Sequence, residues 1–287
     1  MNYTRKIKTF GFINLNKPSG RSSALYVAKI KRLTGQPCGH LGTLDPLASG
    51  VLPVGIGNAN RLFNYFLNKK KEYVAQFTFG KTSDTLDSTG AIQYGGAIPG
   101  AEQIKAALPA FTGEIDQVPP NYSAKSVNGR RGYALARAGV EFSLPPKRVQ
   151  IDTFELLGAG EEENSYRFII QCGAGTYIRS LARDLAAALG TQALMSALMR
   201  TESGAFRIEN AVSPDELTEE NVQDFIIPTE SVLPMPRLVV PVDDRIFSGI
   251  KTAVSAADGE YRLYRGEEFY GMAAVKNGAF VTVTKLC

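Results

Sequence analysis

The sequence contains little histidine and cysteine, and this shortage excludes several kinds of site. In 287 residues it has one histidine and three cysteines, and no two cysteines form a C-x-x-C pair. Cys38, Cys172 and Cys287 are odd in number and widely spaced, which predicts reduced thiols and no disulfide framework. A structural zinc site needs about four Cys or His ligands at close, regular spacing, and one histidine with three scattered cysteines does not provide that, so we expect no bound metal.

Long apolar runs and nucleotide-binding loops are also missing. No window approaches about eighteen consecutive apolar residues, and the N-terminal stretch MNYTRKIKTFGF has neither an apolar segment nor a cleavage site. We therefore expect a cytoplasmic protein that does not contact a membrane. No G-x-G-x-x-G or P-loop motif opens a predicted helix, so dinucleotide and nucleoside triphosphate sites have no support and we expect no cofactor.

Charge is segregated along the chain. Residues 1–81 contain thirteen Lys and Arg against two acids, whereas residues 208–236 contain seven acids and no Lys or Arg. Residues 121–148 add six basic residues against one acid. This asymmetry indicates a polyanionic partner such as nucleic acid, although lysines spread over several faces for solubility would give the same counts.

The hydrophobic pattern mixes strands and helices without a regular βαβ rhythm. Strands are predicted at 10–18, 51–57, 71–80, 149–157 and 165–172, and helices after Ser22 or Ser23, at 60–68, at 101–111 with an interruption at Pro109, and at 177–189. The strand at 71–80 alternates large apolar residues on one face, which favours a half-buried antiparallel sheet. We predict an α+β fold with a mixed, mainly antiparallel central sheet, flanking helices and an inserted loop at about 121–148.

Three prolines in VLPMPRLVVPVDD predict a linker near residue 236. The sequence thus divides into a large domain over residues 1–236 and a small β-rich module over residues 237–287. An N-G dipeptide within that module predicts a tight hairpin turn.

The glycine-rich stretch GHLGTLDPLASGVLPVGIG, residues 39–57, holds the single histidine, His40, and the only carboxylate in the first seventy-one residues, Asp45. A carboxylate in a positive field stays ionised and can act as a nucleophile or a base. The local sequence is equally compatible with Asp45 as a helix cap or Asx-turn residue before Pro46, and with His40 as a hydrogen-bonded loop residue. These residues mark a candidate site without naming a reaction.

Taken whole, GHLGTLDPLASGVLPVGIGNANRL resembles the central motif of the TruB family of tRNA pseudouridine synthases. Four more blocks are similar to that family's motifs and occur in its order: INLNKPSGRSS, KEYVAQFTFGKTSDTLDSTG, VPPNYSAKSVNGRRGYALAR and CGAGTYIRSLARDLAAALG. The resemblance covers about residues 9–207. Residues 237–287 are similar to a reduced PUA domain, a small RNA-binding β-barrel.

The resemblance implies an isomerase that converts a uridine in the tRNA T loop, at position 55, to pseudouridine by base flipping and without a cofactor. It implies Asp45 as the nucleophile, which would attack either C1′ or C6 of the nucleotide, and Arg179 as its ionic partner. Tyr73 would stack on the flipped uracil or handle its proton, with water as the alternative base.

The resemblance also implies residues that bind RNA. These are His40, Tyr177, Leu198, Arg61, Lys125, Arg130 and Arg131. His40 would fill the space that the flipped base leaves, and the last three would close a thumb, the inserted loop at 121–148, over the T stem-loop phosphates. Many family members have lysine at the position of Arg61, and the two side chains hold phosphate differently.

Each of four of these residues also has a purely structural alternative. Tyr73 and Leu198 fit core positions, Arg179 fits a solvated helix face, and Tyr177 fits the first turn of a packed helix.

Three other functions stay open at this point. A non-catalytic RNA-binding or RNA-folding protein would use the same surface. A guide-RNA-dependent synthase of the same superfamily would need protein partners, and a hydrolase or phosphotransferase would need a second acidic cluster for a metal ion. The resemblance favours tRNA as the partner, no obligatory protein partner and a monomer.

Overall fold

A computed structural model describes residues 10–123, 142–240 and 252–286, together with residues 126–127 and 130–132 and the single positions 138 and 140. At residues 126–127 and 130–131 only the backbone is described.

Strands make up most of the regular structure. In chain order the described strands are β1 (Gly11–Lys17), β2 (Cys38–His40), β3 (Ser49–Ile56), β4 (Lys71–Phe79), β5 (Lys81–Ser83), β6 (Ile92–Tyr94), β7 (Gly113–Gln117), β8 (Ser126–Val127), β9 (Arg130–Arg131), β10 (Lys147–Ala159), β11 (Ser165–Cys172), β12 (Ala193–Ser203), β13 (Phe206–Arg207), β14 (Ile227–Pro228), β15 (Arg237–Val239), β16 (Gly259–Arg265), β17 (Glu268–Lys276) and β18 (Ala279–Lys285).

The described α-helices are α1 (Ser23–Thr34), α2 (Phe63–Leu67), α3 (Ala101–Ala107) and α4 (Ile178–Ala188). Short 3₁₀ turns lie at Gly57–Leu62, Leu108–Phe111, Ile208–Asn210, Pro214–Glu216, Val222–Phe225 and Thr229–Val232. The predicted helix at 60–68 is therefore α-helical only over α2, and the predicted helix at 101–111 changes to 3₁₀ geometry at Leu108. Pro109 explains the second change, because proline has no N–H to donate to the helix.

Ten strands form the central sheet. Its order is β14-β1-β3-β12-β4-β11-β10-β7, with β2 paired to β3 and β13 paired to β12. Among its described strand pairs, only β3 with β12 is parallel. The sheet is mixed and mainly antiparallel, so the predicted α+β fold is confirmed.

One face of this sheet builds the main core. Ala75, Phe77 and Phe79 of β4 are buried with Leu181 and Leu185 of α4, which packs across the sheet. This confirms the alternation predicted for β4. The opposite face is also buried locally, because the amide of Gln76 hydrogen-bonds to Ser196 and to the 160–165 turn.

A second sheet of four strands, β15-β16-β17-β18, forms the C-terminal part. The predicted tight turn is present between β17 and β18, where Asn277 and Gly278 both have positive φ. Met272 and Leu286 of this part are buried in a cluster that also holds Phe12 of β1 and Phe66 of α2. The two sheets therefore share a hydrophobic contact.

Cys38 and Cys172 are free thiols, and Cys287 lies outside the described residues. Within the described part of the chain, no helix is long and apolar enough to cross a membrane.

The close contact between β3 and β12 generates a stability prediction. Gly50 has φ +96, and a Cβ there would lie 2.2 Å from the carbonyl oxygen of Arg200, whereas Gly113 has φ +95 and open space around it. Gly113→Ala should cost about 1–2 kcal/mol of unfolding free energy from backbone strain. Gly50→Ala should cost about 1–3 kcal/mol more, because it also forces two backbones apart. Urea titration of both variants measures the difference, and equal losses would contradict it.

Candidate active site

The loop between β2 and β3, which carries Asp45, is fixed through its backbone. Its carbonyl groups accept hydrogen bonds from the residues that join β1 to α1: Ser23 Oγ to Leu44 O (2.8 Å), Gly20 N to Pro46 O (2.7 Å) and Ser19 Oγ to Leu47 O (2.6 Å). Ser23 Oγ also accepts the N–H of Leu44 at 2.9 Å. Ser23 thus begins α1 and anchors the loop, instead of capping its own helix.

A buried lysine supports the same loop from below. Lys17 is fully buried, and its Nζ donates to the carbonyl oxygens of Pro18 (3.0 Å), Pro46 (3.3 Å) and Ala48 (2.6 Å). Burial lowers the pKa of Lys17 to about 8, while the negative charge of Asp45 acts to raise it. The loop is therefore held by hydrogen bonds from a buried lysine.

Arg200 of β12 fixes both ends of the loop. Its side chain is buried, its Nε donates to Val51 O at 2.7 Å and its Nη2 donates to Gly42 O at 3.0 Å. These carbonyls lie on either side of Asp45. The position of the loop thus depends on a residue that the sequence places far downstream.

Arg179 binds Asp45 directly. Its Nη2 lies 3.0 Å from Asp45 Oδ2; the side chain of Arg179 is 7% exposed and that of Asp45 is 40% exposed. The guanidinium also donates to the carbonyl oxygens of Thr85 (2.9 Å) and Tyr122 (3.1 Å). One face of the Asp45 carboxylate is thus paired and another is open to an incoming group.

Asp87 is a second carboxylate on the same guanidinium, at 3.7 Å from Arg179 Nη1. Its side chain is only 7% exposed, and its Oδ1 accepts hydrogen bonds from Thr85 Oγ1, Thr89 N and Thr89 Oγ1. Sequence reasoning missed it, although the run DTLDSTG, with hydroxyl residues beside two aspartates, was the available signal. Asp87 holds Arg179 in place, whereas the more exposed Asp45 can reach a substrate.

Tyr73 and Leu198 lie on neighbouring strands of the central sheet. Tyr73 of β4 is opposite Arg200 of β12, and Leu198 is opposite Ala75, so both side chains are on the face that builds the core. Tyr73 is half-buried and Leu198 is buried. Burial raises the pKa of Tyr73, which keeps its phenol protonated at neutral pH.

Tyr177 immediately precedes α4, two residues before Arg179, and is half-buried. Burial raises the pKa of its phenol too. Two of the residues predicted from the sequence, Tyr177 and Arg179, therefore lie together at the N-terminus of α4.

His40 ends β2, opposite Val54 of β3, and is half-buried. Its Nδ1 is buried without a hydrogen-bond partner among the described residues. Burial lowers the pKa of His40, and the charge of Arg200 acts in the same direction. The imidazole is therefore neutral at physiological pH.

Among the remaining predicted RNA-binding residues, only Arg61 has a described side chain. Arg61, in the 3₁₀ turn before α2, donates its Nη1 to the carbonyl oxygen of Lys285 at 2.8 Å and so contacts the C-terminal part. Lys125 lies outside the described residues, as do the side chains of Arg130 and Arg131. The backbone there pairs β8 with β9 as a short antiparallel hairpin.

No group of three or more His, Cys, Asp or Glu side chains among the described residues could hold a metal ion. Lys71 of β4 is buried, like Lys17 and Arg200, and burial lowers its pKa to about 8. Its Nζ donates to the carbonyl of Phe66. Lys71 thus supports the end of α2, whereas Lys17 and Arg200 are the buried cations that hold the loop of Asp45.

Comparison with protein families gives two adjoining matches. Residues 31–178 match the family described as TruB family pseudouridylate synthase (N terminal domain). Residues 179–244 match the tRNA pseudouridylate synthase B C-terminal domain.

Several curated proteins named tRNA pseudouridine synthase B are similar over most of the chain. The protein from Synechocystis sp. is 42% identical and the match covers 84% of this chain and 84% of that protein. The protein from Acaryochloris marina is 39% identical over 93% and 96% of the two chains. That from Anaplasma marginale is 38% identical over 93% and 87%.

Two solved structures share the fold. An H/ACA RNP bound to a substrate RNA containing 2′-deoxyuridine includes a chain with TM-score 0.69 and 25% identity, and the match covers 97% of this chain and 85% of that chain. A chain of a Cbf5-Nop10-Gar1 complex has TM-score 0.68 and 27% identity, with coverage of 96% and 84%.

The buried Lys17 generates a prediction on pH and stability. Between about pH 8 and its ordinary pKa of 10.5, the folded protein releases the Lys17 proton while the unfolded chain retains it. The unfolding free energy of the wild type, relative to Lys17→Met, should therefore rise with pH across this window by up to about 1.4 kcal/mol per pH unit.

Denaturant unfolding of wild type and variant from pH 7 to 10 measures this difference. The control is Lys105→Met, which changes an exposed lysine of α3. Its unfolding free energy should differ from that of the wild type by the same amount at every pH. Parallel curves for the wild type and Lys17→Met would show that Lys17 keeps an ordinary pKa.

Proposed function

The chain belongs to the TruB family of pseudouridylate synthases, and from that membership and the geometry around Asp45 we propose that it converts a tRNA uridine, at position 55 of the T loop, to pseudouridine. Proteins named tRNA pseudouridine synthase B match it at 38–42% identity over most of its length, which supports tRNA as the substrate. Asp45 is the nucleophile in this proposal.

The contact between Asp45 and Arg179 carries the proposal. The charged guanidinium of Arg179 orients the Asp45 carboxylate at 3.0 Å while leaving it partly exposed. In the reaction the N1–C1′ bond breaks, the uracil turns, and a C5–C1′ bond forms while the C5 proton leaves and N1 gains a proton. Attack of Asp45 on C1′ or on C6 would each provide the covalent intermediate.

The uridine must leave the RNA stack to reach Asp45, at a cost of a few kcal/mol. A neutral aromatic ring that replaces it can recover about 1–3 kcal/mol by stacking. His40 suits this role because it is uncharged at neutral pH and lies at the start of the loop that carries Asp45. Tyr73 stacks on the flipped base or transfers its proton in this proposal, which its protonated, half-buried phenol supports.

Tyr177 and Leu198 line the pocket in this proposal, and Arg61, Lys125, Arg130 and Arg131 bind phosphates. Residues 1–236 form the catalytic domain, with a thumb at about 121–148. Residues 237–287 form a PUA-like RNA-binding module. The enzyme acts as a monomer in the cytoplasm and needs no cofactor or obligatory protein partner.

The guide-dependent alternative draws support from the two solved structures, both of which are RNP or protein complexes. The curated tRNA synthases are more similar to this chain, at 38–42% identity against 25–27%. The two hypotheses differ in what activity requires, because a stand-alone tRNA enzyme needs no added protein or guide RNA.

The proposed reaction and its nucleophile can be tested on unmodified tRNA. Incubation of an unmodified tRNA transcript with the purified protein, in EDTA and without other components, should create one pseudouridine in the T loop. Asp45→Asn should lower the rate by at least about a thousandfold, because the amide is not a nucleophile. Carbodiimide treatment followed by primer extension locates the product.

Asp116→Asn is the matched control, since Asp116 also pairs with an arginine, Arg148, on an exposed strand. This variant should keep wild-type activity. A wild-type protein that binds tRNA but forms no pseudouridine would favour the RNA-binding alternative. Activity that appears only with a guide RNA and partner proteins would favour the guide-dependent alternative.

The proposed phosphate contacts of the thumb can be tested by the salt dependence of tRNA binding. If Arg130 and Arg131 contact phosphates, their joint replacement by alanine should reduce the slope of log affinity against log salt by roughly 0.7–0.9 per lost contact. Filter binding of tRNA at several salt concentrations measures the slope. Joint replacement of Arg167 and Arg207, which are exposed on the central sheet, should leave it unchanged. An unchanged slope in the first variant would remove both residues from the RNA interface.

A further inference from the structure

We propose that Gln117, the last residue of β7, is a positioning residue for the reaction. It fixes Tyr177 and Arg179 relative to Asp45 by joining the segment 117–123 to the start of α4. This inference rests on the function proposed above and adds to it a residue that does not touch the substrate.

The amide of Gln117 binds both polar backbone groups of Tyr177. Its Nε2 donates to Tyr177 O at 3.1 Å and its Oε1 accepts from Tyr177 N at 2.8 Å. Gln117 is 1% exposed, so water does not compete for these bonds. Two bonds in opposite directions fix the rotation of the amide as well as its distance from the backbone. Both backbone groups of Tyr177 are thereby bonded to a single side chain.

The start of α4 needs such a restraint. Tyr177 occupies the N-cap position, where Ser, Thr, Asp or Asn usually supplies a capping oxygen, and it makes no side-chain cap. The orientation of the first turn of α4 is therefore not fixed by a capping side chain at its N-terminus. Because Tyr177 and Arg179 both lie at this start, a shift of the first turn would move both side chains away from Asp45.

Further hydrogen bonds join α4 to the residues after Gln117. Ser180 Oγ and Arg183 Nη2 both donate to the carbonyl of Val118, at 2.8 and 3.0 Å. Arg179 Nη2 donates to the carbonyl of Tyr122 at 3.1 Å, and this same nitrogen lies 3.0 Å from Asp45. The segment 117–123 thus helps to set the orientation of the guanidinium. Its last residues, 121–123, overlap the start of the proposed thumb.

A purely structural role for Gln117 predicts lost stability without a specific loss of rate. The chain offers a matched control in Gln76 of β4, which is also buried and also makes two amide hydrogen bonds. Its Oε1 accepts from Glu161 N at 2.9 Å and its Nε2 donates to Ser196 Oγ at 3.0 Å. Neither bond involves α4.

The experiment compares Gln117→Met and Gln76→Met with the wild type. It measures the melting temperature, the tRNA affinity, and the single-turnover rate constant at saturating tRNA. Both variants should melt lower by similar amounts. Gln117→Met should lose about tenfold to a hundredfold in the saturating rate constant, because small misplacements of reacting groups cost about this much, while its tRNA affinity should stay near that of the wild type. Gln76→Met should keep the wild-type rate constant.

Equal rate constants for the two folded variants would overturn the inference. A loss confined to tRNA affinity would also overturn it, since Gln117 would then act on binding. If Gln117→Met does not fold, Ser180→Ala replaces it in the experiment. This variant removes one hydrogen bond between α4 and Val118 and should lower the rate constant by a smaller factor. An unchanged rate constant would contradict the inference. A wild type without activity on any uridine would instead refute the proposed function.

Discussion

The contact between Arg179 and Asp45 is the interaction on which the rest of the site depends. A buried guanidinium keeps its charge, and it must find enough acceptors to offset the loss of water. Arg179 finds them on three separate segments: Asp45 on one loop, Thr85 and Asp87 on another, and Tyr122 on a third. These segments share a fixed geometry because one side chain binds them all.

Buried cations hold the Asp45 loop from its other side. Lys17 and Arg200 donate to backbone carbonyls of this loop and its ends, and within the described part of the chain neither forms an ion pair with a carboxylate. Carbonyl dipoles aimed at a cation stabilise it without cancelling its charge. The loop therefore gains a rigid shape, and Asp45 gains a positive environment.

Asp45 and Asp87 both pair with Arg179 but differ in exposure, and this difference gives them different roles. Asp87 is enclosed by Thr85 and Thr89 and serves as an anchor, while Asp45 faces outward. The anchoring extends through α4, whose first turn is tied to Gln117. Most of the central sheet then acts as a scaffold that keeps these few contacts in register.

The sequence by itself determined the elements with strong local patterns, such as β4, most of α4 and the turn at Asn277–Gly278, and it singled out Asp45 and Arg179 through a family resemblance. It did not indicate the roles of Lys17, Gln117 or the distant contact of Arg200 with Gly42, 158 residues away. The physical reason is that these side chains bind backbone groups. Every residue carries a backbone carbonyl, so such a bond leaves no pattern in the partner's sequence, and only the tertiary structure decided which carbonyls meet which side chains.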